Sequence, residues 1–266
     1  MYGKPWVLLF CTALFWSGNA IVGRAAVEVM PPIGLAFWRW FLAFLLVLPF
    51  AIRPILNDRA ELWRCWPVIV ILGFLGITIF NTCLYVGLEN TQAINAGLLQ
   101  AAMPAIIVIY LLFLGERPSW RALAGMALAL IGVAITLFKG DWHLLLALSL
   151  NRGDVWIFVG VLVYGGYSVG LRWRPQVHPM TFLSLTFLTG ATALFPIYIW
   201  ESFNVRPLVL SWNSVLAIGY VTIFPSILAL VCFNRGVELL GAARAGFSSE
   251  DEKVSGISTL VCGLWR

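Results

Sequence analysis

The 266 residues are 61% hydrophobic and only 11% charged, a balance that excludes an ordinary soluble globular domain. The formal net charge of +5 does not point to nucleic acid, because the basic residues stand singly between apolar runs and form no cluster. Five scattered cysteines (Cys11, Cys65, Cys83, Cys232 and Cys262), odd in number and with no C-x-x-C, argue against a disulfide framework and a metal knuckle. No metal or cofactor is expected.

Apolar runs of about twenty residues recur along the chain, enough to cross a hydrocarbon core about 30 Å thick at about 1.5 Å per residue. They predict an all-α polytopic membrane bundle with spans near 5–23, 33–52, 67–88, 92–113, 120–138, 155–173, 180–200 and 212–233. Lys4 and the short run after it resemble a secretory leader, but the run continues through Ile21 and Val22 and reads as a span. Tryptophans 6, 63, 66, 120, 142, 156, 173, 200 and 212 flank the spans, where amphipathic rings favour the headgroup level.

Polar and aromatic residues stand at mid-depth in several spans. In the first, Trp16 and Asn19 share a face at i, i+3, suited to stacking on a solute or to bonding a neighbouring helix. In the second, Arg39 lies about six residues inside the span. A charge there costs about 2.5–3.5 kcal/mol at a helix centre and usually faces the bundle interior or an aqueous cavity. It suits an anchor for an anionic group such as a solute carboxylate, or a structural bond to carbonyls or headgroups.

Asn81 and Tyr85 follow at i, i+4 in the third span. Asn95 and Gln100 stand in the fourth, where Pro104 withholds an amide hydrogen from the carbonyl of Gln100. Pro225 does the same to Val221 in the eighth, and interrupted helices often mark transporter sites. Tyr164 and Ser168, i and i+4 in the sixth span, are further cavity candidates. Ser168 also satisfies G-x-S-x-G within GYSVG, but that motif needs a strand-to-helix elbow and a nearby histidine. Here it reads as a helix-packing face, and the chain is expected not to be an enzyme. No Asp or Glu lies deep within a span, so no carboxylate proton relay is visible.

With the N-terminus cytoplasmic, inner segments hold Lys4, Arg53, Arg59, Arg64, Arg117, Arg121, Arg172, Arg174, Arg235 and Arg244. Outer loops hold only Arg24, Lys139, Arg152 and Arg206. The chain also repeats itself. GLENTQAINAG (87–97) overlays GVELLGAARAG (236–246) at a shift of 149, and FWSGNAIVGR (15–24) overlays VYGGYSVGLR (163–172) at nearly the same shift. Five spans per copy is an odd number, so the second copy is expected upside down in the membrane. That shift places Glu250, Asp251, Glu252 and Lys253 where the first copy is apolar, so the last two helices of the second copy are expected to be missing.

FWSGNAIVGR, PPIGLAFWRW and MPAIIVIYLLFLGERPSWRALAGMALALIGV together resemble the drug/metabolite transporter superfamily, specifically its ten-helix EamA-type permeases. The resemblance implies two inverted five-helix repeats around a central cavity in a bacterial inner membrane. On this chain that gives a first repeat at 5–138, a connecting loop at 139–153, an incomplete second repeat at 154–246 and a divergent polar tail at 247–266. The implied function is transport of small metabolites or amino-acid-like solutes by alternating access. The alternative is a transport-inactive, truncated form. The implied partners are the lipid bilayer and a small-molecule solute, with no nucleic acid; the incomplete half leaves room for a homo-oligomer.

Overall fold

The computed structural model describes residues 4–115 and 151–233, with isolated positions at 120, 123–124, 127–128, 131–132, 235 and 239. Among these residues the long elements are all helical, and seven are long and apolar enough to cross a membrane. They are α1 (Pro5–Val29), α2 (Pro32–Asn57), α3 (Arg59–Asn90), α4 (Ala93–Phe113), α5 (Arg152–Trp173), α6 (Pro179–Asn204) and α7 (Trp212–Phe233). The predicted span at 120–138 falls largely outside the described residues, and the tail at 247–266 does so entirely.

The helices outrun the predicted spans. α3 starts at Arg59, not near 67, because a helix continues past the hydrocarbon wherever its backbone stays bonded, and Glu61 and Arg64 can project into the interface. Prolines open α1, α2 and α6 in the first turn, where a missing N–H costs no hydrogen bond. One cysteine expectation is corrected: Cys65 is disulfide-bonded, whereas Cys11, Cys83 and Cys232 are free.

The interfaces of the bundle include α2 against α6, α3 against α5 and against α6, α4 against α5, and α1 against α7. Exchanging α1 with α5, α2 with α6 and α3 with α7 returns the α2–α6 pair and interchanges α3–α5 with α1–α7. The α2–α6 interface is aromatic and dry. Phe37 stacks on Tyr198 at 5.0 Å between centroids, and Trp40 meets Phe187 at 4.9 Å. Leu35, Ala36, Ala43 and Leu194 are fully buried around them.

Two carboxylates tie these helices together reciprocally. Glu201, near the end of α6, accepts from the backbone N–H groups of Ile33 (3.1 Å) and Gly34 (2.8 Å) in the first turn of α2. Asp58, just after α2, accepts from the N–H of His178 (2.9 Å) and from the Thr181 hydroxyl (2.7 Å) at the start of α6. Each helix thus supplies the anion that satisfies the orphan donors and positive dipole end of the other.

A matched irregularity completes the scaffold. α3 contains a π-helical turn at Phe74–Ile79, and α7 contains one at Thr222–Leu228. The shift of 149 read from the sequence carries the first onto residues 223–228, within the second. In α3 the turn sits where Gly73 and Gly76 allow close approach: a Cβ on Gly76 would lie 2.6 Å from the Tyr167 ring of α5. In α7 the turn contains Pro225.

Glu201→Ala leaves two N–H groups at the buried end of α2 without an acceptor and is expected to destabilise the fold by about 1–3 kcal/mol. Thermal unfolding in detergent micelles measures this, with Asp58→Ala as the milder comparison because its partners lie nearer solvent. An unchanged melting temperature for Glu201→Ala would show that water replaces the carboxylate.

Candidate functional site

Arg39 is the eighth residue of α2, so its Cα lies about 10 Å along the axis from the start of the helix. Its position on the inward face leaves it only 4% exposed. Four neutral side chains hold the guanidinium. Nε donates to Ser226 Oγ of α7 at 2.6 Å. Nη1 donates to Tyr85 OH (2.7 Å) and Asn81 Oδ1 (3.3 Å) of α3, and to Asn19 Oδ1 of α1 (3.0 Å). The Tyr85 hydroxyl in turn donates to Asn19 Oδ1 at 3.0 Å. Asn81 is oriented by its own amide, which donates to the Ile77 carbonyl (2.8 Å) in the π turn of α3. The cation also lies over the Trp40 ring, 4.6 Å from its centroid.

Two features set this cluster apart from a structural arginine. No carboxylate pairs with Arg39 among the described residues: the ion pairs there are Arg24–Glu28 and Arg206–Glu89. The positive charge is buried and hydrogen-bonded but not neutralised, a condition that favours an incoming anion. In addition, Nη2 makes no hydrogen bond to any described residue, so two strong donors remain available.

The α7 side of the cluster is built from the helix break. Pro225 has no N–H to offer the carbonyl of Val221, and the Ser226 hydroxyl donates to that carbonyl at 2.8 Å while accepting from Arg39. Trp16 Nε1 donates to the Pro225 carbonyl at 3.3 Å, and its ring lies 5.5 Å from Phe233. Thr222 donates to the backbone carbonyl of Arg39 at 3.4 Å. The expected break at Pro225 is therefore filled by side chains that also hold the cation.

Of the residues singled out in the sequence, Asn19, Arg39, Asn81 and Tyr85 meet in one network, and Trp16 and Pro225 adjoin it. Tyr164 makes no hydrogen bond to this network among the described residues, and its ring is packed between Phe80 (4.6 Å) and Tyr167 (5.1 Å). The others turn elsewhere. Ser168 donates to the Tyr164 carbonyl within α5. Gln100 donates back to the Ala96 carbonyl. Asn95 donates to Thr91, which bonds Asp154 in the N-terminal cap of α5. α4 is interrupted at residues 101–102, so Pro104 sits in the first turn of a new segment, Met103–Phe113. Ser226 was not legible as a site residue, although its place directly after Pro225 was the available signal.

At the face where α1 ends and α2 begins, Arg206 closes a second cluster. Its Nη2 donates to the carbonyls of Val27 (2.6 Å) and Met30 (2.8 Å) and to Glu89 of α3 (2.8 Å). A cation on the last carbonyls of α1 also suits the negative end of that helix.

Comparison with known proteins follows the same lines. Residues 4–138 and 151–257 each match the model of the EamA-like transporter family. The chain is 26% identical to the uncharacterized transporter YyaM of Bacillus subtilis over 247 residues, which are 90% of this chain and 79% of that protein. It is 25% identical to the pseudopaline exporter CntI of Pseudomonas aeruginosa, covering 87% of this chain and 79% of that one. It is likewise 25% identical to a probable terminal-alkyne amino-acid exporter of Streptantibioticus cattleyicolor, covering 90% and 77%. A crystal structure at 19% identity shares the fold with a TM-score of 0.61, over 96% of this chain and 93% of that one.

Tyr85→Phe removes one acceptor from Arg39 and one donor from Asn19 while keeping the buried ring. It is expected to lower stability by about 1–3 kcal/mol, read as a lower melting temperature of the purified protein. Tyr110→Phe, on the same scale of side-chain change but outside the network, is expected to leave the melt unchanged.

Proposed function

This chain belongs to the EamA-like transporter family, and from that premise we propose that it carries small metabolites, amino-acid-like solutes among them, across a membrane by alternating access. The observation that carries this reading is the position of Arg39. A single buried cation on α2 is gripped at once by α1 and α3 from the first half of the chain and by the broken helix α7 from the second. A solute that engages it engages both halves, which is what coupling solute binding to their relative motion requires.

In this reading 5–138 and 154–246 are inverted copies joined through 139–153, and 247–266 is a divergent tail. Asn19, Arg39, Asn81, Tyr85, Trp16 and Tyr164 line the solute path, with Asn95, Gln100 and Ser168 farther along it and Pro104 and Pro225 marking the helix breaks. The protein is placed in a bacterial inner membrane with its N-terminus cytoplasmic. Arg206 and Glu89 then close the outer face. Two relatives are named as exporters, one of pseudopaline and one of a terminal-alkyne amino acid, which supports amino-acid-like solutes here. The family and these relatives indicate transport rather than catalysis.

Counterflow in proteoliposomes with an amino-acid panel tests the reading: saturable exchange of at least one solute is expected, and none across the panel would favour the transport-inactive alternative. Alternating access adds a sharper expectation. With Glu89→Cys and Arg206→Cys joined by a short bifunctional thiol reagent, exchange should stop, while either single variant treated identically should continue. Unimpaired exchange in the cross-linked protein would remove the outer face from the gating cycle.

A further inference from the structure

Resting on the carrier reading, we propose that the Arg39 pocket is a carboxylate site, selective for organic acids with one negative charge over cations and dianions. Nη2 has no partner. Unlike Trp40 Nε1, Thr82 Oγ1 and Ser184 Oγ, which are sealed from solvent without a bond, it keeps accessible surface. Ser226, Asn19, Asn81 and Tyr85 occupy the other side of the guanidinium through Nε and Nη1. Two N–H donors therefore stand free on a buried charge of +1.

The charge count sets the ligand. A carboxylate neutralises the guanidinium and leaves the loaded site with no net charge, the cheapest state at membrane depth. A dianionic phosphate monoester would leave one negative charge unneutralised, since no second cation among the described residues bonds into the cluster. A cation meets uncompensated repulsion, because the described acids stand at helix ends: Glu28, Asp58, Glu61, Glu89, Asp154 and Glu201. The neutral acceptors that hold Arg39 are already engaged, so they orient the guanidinium without competing for Nη2. Phe80, Tyr164 and Tyr167 pack on one another and Trp16 packs on Phe233, aromatic surface suited to a short hydrocarbon body on the acid.

The test uses the full chain in detergent and a series of probes alike in shape: phenylacetate, phenylacetamide, phenethylamine and phenyl phosphate, titrated calorimetrically. Phenylacetate should bind at least tenfold tighter than the other three. Asn19→Asp sets a permanent carboxylate beside the guanidinium with almost no change of shape. It should lower phenylacetate affinity at least tenfold while the melting temperature holds or rises.

Equal binding of all four probes, no binding of phenylacetate, or full affinity in Asn19→Asp would overturn the proposal. Laurate separates sources of the same chemistry: binding tighter than that of phenylacetate would assign the site to a lipid-borne acid and overturn its role for soluble solutes. Failure of the carrier reading looks different. Carboxylate binding without counterflow sinks transport and leaves the site standing, whereas counterflow indifferent to solute charge sinks the site and leaves transport standing.

Discussion

The structure is arranged around one costly fact, a guanidinium buried at membrane depth with no carboxylate beside it. Water would have stabilised that charge well, and hydrocarbon does not. Here the compensation comes from neutral oxygens on three other helices, each within hydrogen-bond distance and each fixed by a further contact. Meeting that requirement brings α1, α3 and α7 together at one depth of α2. It also dictates where the regular hydrogen bonding of two helices has to give way.

Those departures are not defects of packing. The π turn of α3 presents the Ile77 carbonyl that orients Asn81, and the π turn of α7 presents Ser226 beside a proline that has vacated the Val221 carbonyl. In each case an irregular backbone at membrane depth is satisfied by side chains that also serve the cation. This is the circumstance in which such irregularity is tolerated inside a bilayer.

A symmetric frame holds an asymmetric site. α2 and α6 are both 26 residues long, start with proline, end with asparagine and exchange capping carboxylates. Aligned by their ends, Arg39 falls opposite Thr186, whose hydroxyl bonds carbonyls of its own helix. The ends of the two helices are therefore matched, while the charge at this register belongs to α2 alone. Among the described residues, the second half contributes the Ser226 hydroxyl to the cation and no compensating ion.

The membrane spans, their approximate places and the internal repeat were legible in the sequence, because lipid forces every backbone group to bond locally and so makes hydrophobic length a reliable sign of a helix. A lone arginine within such a run, and Asn81 and Tyr85 one turn apart, were legible for the same reason: polar groups in hydrocarbon are expensive and have to face inward. Which of the inward-facing residues meet was not legible. Asn19 and Gln100 look alike in sequence, yet one contacts the cation and the other bonds its own helix, since helix rotation and depth are set by packing between helices far apart in the chain. The roles of Ser226, Glu201 and Arg206 likewise depend on neighbours more than 100 residues away, so only the tertiary structure could assign them.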